Sequence, residues 1–237
     1  MTEHIVKAYD TELEGLGQKI AEMGGIAEKM LSDAMDALSD FDIKLAQSTI
    51  ACDPRLDILQ REIEEQAILT IARRQPLAVD LREIIATIRI SNDLERVGDL
   101  AKNIARRAIK VAADVRIPRA IIGLKSMHDS AAILLKDVLD AYSQRDAQRA
   151  REVWLFDADL DSLEDSVFRD LLTFMMEDPR NISFCAHLLF CSKNIERIGD
   201  HATNIAETVV YLVTGESMPT DRPKGRNLLS DSPSVLG

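Results

Sequence analysis

The chain has 237 residues, 46% of them hydrophobic, 29% charged and only 4% aromatic, with a formal net charge of -11. That surplus of negative charge repels a phosphate backbone and counts against nucleic acid as a partner for the surface as a whole, leaving only local basic patches. No stretch approaches the length of uncharged apolar residues that a membrane span needs, and the amino terminus has no basic segment followed by an apolar run, so a cytoplasmic protein is expected.

Scarce glycine and abundant Ala, Leu, Ile, Glu, Asp and Arg make an all-α composition. Apolar residues at helical spacing, from Ile5 and Leu13 through Ile20, Met30 and Leu38, predict a first helix over 3–40, with a bend near Gly24 and Gly25. A second helix is predicted over 42–73, interrupted or re-initiated at Asp53-Pro54, where Asp can cap and Pro suits the first helical position. The third covers 77–112. After a break at 115–118, three more are predicted over 118–143, 146–177 and 182–213. From Gly215 the sequence concentrates Gly, Pro, Ser and Asp without periodicity, the pattern of a disordered tail over 215–237. Long helices joined by short turns bury their apolar stripes by antiparallel packing, so the expected architecture is all-α, two tandem three-helix bundles over 1–114 and 115–214.

A repeat underlies that division. Residues 93–105 (DLERVGDLAKNIA) and 194–206 (NIERIGDHATNIA) keep Glu, Arg, Gly, Asp, Ala, Asn, Ile and Ala in register, at an offset of 101. Upstream, Asp36, Ala37, Ser39, Asp42, Ala46, Asp53, Leu56, Asp57 and Leu59 recur as Asp140, Ala141, Ser143, Asp146, Ala150, Asp157, Leu160, Asp161 and Leu163, at an offset of 104.

Within the repeat, Glu95, Asp99 and Asn103 are spaced four apart, as are Glu196, Asp200 and Asn204. Each step of four drifts about 40° around a helix, so the three side chains share an arc of about 80°, opposite the core stripe of Leu94, Val97, Ala101, Ile104 and Ala105. Acids in that position are ordinarily a solvated face, with Lys102 a simple partner of Asp99. A solvated face, however, tolerates exchange among Glu, Lys, Gln and Ser, whereas here Glu, Arg, Asp and Asn return together. Each copy also keeps a mid-helix glycine, Gly98 and Gly199, at a cost of about 1 kcal/mol relative to Ala, which implies a close approach. Asp53 and Asp57, with Asp157 and Asp161 in the second copy, would come near the acidic ladder if the second and third helices of each unit run antiparallel. An oxygen-only cluster suits Mg²⁺, Mn²⁺, Ca²⁺ or oxidised iron, and its carboxylates repel one another unless a cation neutralises them. His201, beside Asp200, is an outlying candidate.

No phosphate-binding glycine loop, nucleophile elbow or HExxH is present, so no nucleophile or base is visible. Cys52, Cys185 and Cys191 lack metal-type spacing and read as reduced core residues. Arg73 and Arg74 close the second helix, where they can satisfy terminal carbonyls or offer a docking patch to an acidic partner.

Residues 71–107, IARRQPLAVDLREIIATIRISNDLERVGDLAKNIARR, together with KNIERIGDHATNIAE in the second copy, closely resemble the PhoU family, accessory regulators of bacterial phosphate-specific transport. The likeness runs over about 9–213. It implies tandem three-helix bundles that are not enzymes, commonly homodimeric, with divalent or trivalent metal ions (Mg, Mn, Fe or Zn) on the acidic motifs. Carried over position by position, Glu95, Asp99 and Asn103 would hold metal in the first bundle and Glu196, Asp200 and Asn204 in the second, with Asp57 and Asp161 contributed by the preceding helices. The implied partners are the sensor histidine kinase of the phosphate regulon and the ATP-binding subunit of the phosphate ABC transporter, through which alone the protein would meet the membrane. A carboxylate-bridged metal enzyme and a metal-free helical scaffold remain as alternatives.

Overall fold

Apolar periodicity resolves into six long helices in the computed structural model, which describes residues 2–112 and 117–219, with side chains left out at 2–10 and 157–159. They are α1 (Thr2–Asp40), α2 (Ile43–Arg74), α3 (Ala78–Val111), α4 (Pro118–Gln144), α5 (Ala147–Glu177) and α6 (Ile182–Thr214), the last entered through a short 3₁₀ turn, Pro179–Asn181. The chain is all-α, with no strand among the described residues.

The corners that start α2 and α5 are copies of one another. Asp42 accepts from the N–H groups of Lys44 and Leu45 at 2.8 and 3.0 Å, and Asp146 from those of Gln148 and Arg149 at 2.9 and 3.0 Å. Each carboxylate thus satisfies the first orphan donors of its helix. The residue before each cap, Phe41 or Arg145, is left-handed at φ 57° or 55°, a strain that the backbone bonds Asp42 N to Ala37 O and Asp146 N to Ala141 O accompany. The recurrence of Ala37 and Asp42 as Ala141 and Asp146 records this duplicated corner.

α1 is one continuous helix across Gly24 and Gly25, and Gly24 serves its packing: a Cβ there would lie 2.9 Å from Leu139 Cδ1 of α4. The interruption expected within the second helix is corrected, because α2 passes through Asp53-Pro54 without a break. Proline removes one helical hydrogen bond there. The flanking Asp53, Leu56 and Leu59 are all buried, so tertiary packing holds the segment helical against its local preference.

Each repeat is a three-helix unit, α1–α3 and α4–α6, and the two units share their core. α1, α3, α4 and α6 form an inner layer, with α2 packed on α1 and α3, and α5 on α4 and α6. The buried apolar side chains make one continuous cluster, and the rings of Phe41 and Phe184, 6.3 Å apart, join the units. α3 and α6 run antiparallel along each other: Asp93 meets His201, and Arg107 meets His187. Gly215, at φ 80°, caps α6, and Met218 beyond it still packs against the core. Residues 220–237 of the expected tail, and 113–116 in the link between units, lie outside the described residues. No helix among the described residues is long and apolar enough to cross a membrane.

Candidate functional site

Gly98 lets α2 press onto α3. A Cβ at this position would sit 2.2 Å from Leu56 Cδ1, and that close approach draws the acids of the two helices into one seam. Glu95 does not face open solvent, as its side chain is only 15% exposed. Across the seam Asp53 meets Lys102, whose ammonium donates to Asp53 Oδ2 at 2.6 Å and to Asp99 Oδ1 at 2.5 Å. Arg96 reaches Glu95 and Asp99 from outside at 3.4 and 3.7 Å. Burial raises the pKa of Glu95, and the negative charges of Asp99, Asp57 and Asp53 add to that rise against the opposing pull of Arg96.

The second repeat builds the same seam from α5 and α6 with a different cation. Lys193 donates to Glu196 Oε1 at 2.8 Å and to Glu164 Oε2 at 3.4 Å. The other oxygen of Glu196, Oε2, is buried with no hydrogen-bond partner. Burial again raises the pKa, Asp200 and Glu164 add to it, and Lys193 opposes it. Thr203 stands where the first copy has Lys102, its hydroxyl donating to Gly199 O at 3.0 Å and Asp200 O at 2.8 Å. At the place of Lys193 the first copy has Asn92, which accepts from Gln60 at 2.6 Å. Each acidic seam therefore contains one lysine ammonium, supplied from a different sequence position. Asp200 acts on Glu196 within the second seam, and both Asp200 and Asp161 of α5 are half-buried with interactions of their own; the side chain of Asp157 lies outside the described atoms.

Among the described residues no three His, Cys, Asp or Glu side chains gather closely enough to hold an ion as they stand. The chemistry of the donors nevertheless fits a hard cation. All are carboxylate oxygens, Glu95 and Glu196 are both pushed toward protonation by burial first and by neighbouring carboxylates second, and Glu196 Oε2 is an orphaned acceptor. In the first seam Lys102 and the more exposed Arg96 face the four carboxylates of Asp53, Asp57, Glu95 and Asp99, which leaves negative charge over. The residues that would hold a cation are Glu95, Asp99 and Asp57, with Asp53, in the first repeat and Glu196, Asp200 and Asp161 in the second.

Asn103 and Asn204 turn elsewhere. The drift of about 80° from Glu to Asn is wide enough to straddle two seams, and it carries the amides onto the contact between α3 and α6. There Asn103 accepts from Arg106 at 3.3 Å and lines a pocket with Asn194, while Asn204 donates to Asp93 at 3.5 Å. His201, the outlying candidate, donates through Nδ1 to that same Asp93 at 2.8 Å, binding one repeat to the other. Sequence reasoning missed this pair and Lys193; it paired Lys102 with Asp99, as observed, but not with Asp53 across the seam. The available signal was divergence: Asp93, Lys102 and Asn92 face Asn194, Thr203 and Lys193 in the alignment of the copies.

Arg74 does not cap α2. Its guanidinium binds Glu12 of α1 at 2.7 Å, which holds that carboxyl below its ordinary pKa. Cys185 and Cys191 are buried free thiols and Cys52 is half-buried; burial pushes Cys191 up to about 12, making it inert at neutral pH.

A family model described as the PhoU domain matches residues 20–108 and again 124–209. A relative from Rhizobium meliloti (strain 1021), named phosphate-specific transport system accessory protein PhoU homolog, is 52% identical over 235 residues, 99% of this chain and 97% of its own length. The crystal structure of PhoU from Pseudomonas aeruginosa superposes with a TM-score of 0.85 at 39% identity, covering 88% of this chain and all of that one. The phosphate transport system regulatory protein PhoU from Streptococcus pneumoniae gives 0.81 at 26% identity, over 89% of this chain and 99% of that one.

Proposed function

This chain belongs to the PhoU family, and from that premise we propose that it is an accessory regulator of phosphate-specific transport that represses the phosphate-starvation response when phosphate is plentiful. The observation that carries this reading is the likeness to the Rhizobium meliloti phosphate transport accessory protein along 99% of the chain. The protein works as a cytoplasmic adaptor. It binds one conformation of the sensor histidine kinase, or of the ATP-binding subunit of the transporter, better than another, and shifts that partner's equilibrium by the difference in affinity.

The acidic seams supply metal-binding surfaces for that role. Glu95, Asp99 and Asp57 in one repeat, and Glu196, Asp200 and Asp161 in the other, hold hard cations whose positive charge neutralises what Lys102 and Lys193 leave uncompensated. Support comes from the raised pKa of both glutamates and the unpartnered Glu196 Oε2. Exposed apolar side chains on the flanking helices, including Ile68 and Leu69 of α2 and Phe156 and Phe168 of α5, favour protein partners on those faces, a second copy among them.

Deleting the gene should raise expression of phosphate-starvation genes in phosphate-replete cells, and restoring the chain should reverse it. Unchanged expression in the deletion strain would count directly against the role. A pull-down from phosphate-rich cells should bring along the sensor kinase or the transporter ATPase.

A further inference from the structure

The contact between α3 and α6 is built by near two-fold symmetry. Exchanging each residue of α3 with the residue 101 positions later in α6 turns the Asn103 and Asn194 pair into Asn204 and Asp93, and both pairs meet at this contact. At one end of the contact the structure is self-satisfied. Asp93 is occupied by His201 and Asn204, Glu207 accepts from Trp154 at 2.9 Å, and Arg89 stacks over Tyr211 at 5.7 Å.

The other end is different. There a pocket of about 270 Å³ is lined by Asn103, Arg106, Arg107, Lys110, Phe190 and Asn194. Arg106, Arg107 and Lys110 stand where the twin end has Glu207, Thr208 and Tyr211, so three cations replace one acid and two neutral side chains. No carboxylate lines this pocket, and among the described residues none of the three cations is ion-paired to one. Arg107 is fixed in place. Its guanidinium lies 4.3 Å from the Phe190 ring centroid and donates to His187 Nδ1 at 2.9 Å, leaving further N–H donors. Packing of a duplicated helix pair does not require this asymmetry, and in a chain of net charge -11 a converging trio of cations beside two amides is a local reversal of sign.

We propose that this pocket binds a multiply charged tetrahedral oxyanion, phosphate or a phosphate ester. The arginine forks and the Lys110 ammonium supply the charge-assisted donors such an anion takes, and the amides of Asn103 and Asn194 add neutral ones. The site lies on the contact between repeats, so its occupant would bridge the two halves of the molecule. This inference goes beyond the regulatory role and does not rest on it.

The test is calorimetric titration of the full chain with inorganic phosphate, sulfate and ATP in turn, with EDTA present so that no cation on the acidic seams carries the anion. Saturable binding is expected. It should weaken at least tenfold in Arg106→Gln plus Lys110→Gln, two exposed side chains whose loss leaves the thermal melt unchanged, and stay unchanged in Arg119→Gln plus Lys125→Gln, which removes the same charge elsewhere. Binding of phosphate comparable to ATP identifies the free anion as ligand, and binding of ATP alone identifies an ester; either supports the pocket. The proposal is overturned if none of the three probes binds saturably, or if both double variants weaken binding equally. Either failure leaves the gene-deletion phenotype as a separate question.

Discussion

Glu196 concentrates the tension of the second seam in one atom, a buried carboxylate oxygen without a partner. Burial, Asp200 and Glu164 push its pKa above the ordinary 4.5, so the folded chain holds this proton more tightly than the unfolded chain does. The resulting stability is fully present below about 4.5 and is lost as pH rises through the raised folded value. In metal-free protein at pH 7, Glu196→Gln is therefore expected to stabilise by about 1 kcal/mol in urea titrations, the scale of an unsatisfied buried acceptor, and the gain should vanish near pH 4. Gly98→Ala meets the buried Leu56, and overpacking of about 1–3 kcal/mol outweighs the roughly 1 kcal/mol gain in helix propensity, so it lowers the urea midpoint. Gly25→Ala, exposed with nothing within 4 Å, keeps the gain and raises it. The recurrence of Glu and Asp made the ladder legible in sequence, and the glycine cost pointed to the close approach. The pairing of Lys102 with Asp99 was legible too, but not its reach across the seam to Asp53, because an ammonium near an acid reads the same whether it sits on a surface or in a seam.

At the scale of elements, the duplicated corners do the most to fix where helices begin. Asp42→Ala and Asp146→Ala each remove two bonds to orphan N–H groups and are expected to cost about 1 kcal/mol apiece by chemical denaturation. The two caps share no bonding partner, and the losses should add in the double variant. Helix number, type and order could be read from periodicity, because stripes this long leave little ambiguity. Interior punctuation was misread at Asp53-Pro54, where local preference argued for interruption, and at Gly24 the packing role was not legible. Leu56, Leu59 and Asp53 on one helix, and Leu139 against the other, decide those positions through contacts between helices. The separation of Asn103 from Glu95 belongs to the same scale: spacing gave the arc correctly, but which neighbouring helix each part of the arc faces depends on α6.

For the whole molecule, the sequence repeat showed two units but not that they share a core. Fusion through α1, α3, α4 and α6 places the outer helices on opposite flanks and leaves each acidic seam on its own side, between α2 and α3 or between α5 and α6. Divergent positions, Asp93 with His201 above all, bind the units together, and an alignment of the copies discards them as noise. Both seams are proposed as cation sites. Elemental analysis of protein purified without chelator and dialysed against manganese or iron decides whether they are. Wild-type protein should retain stoichiometric metal, and Asp99→Ala plus Asp200→Ala should retain none while keeping its helical content; a wild-type protein that emerges without metal, or a double variant that retains as much, would contradict it.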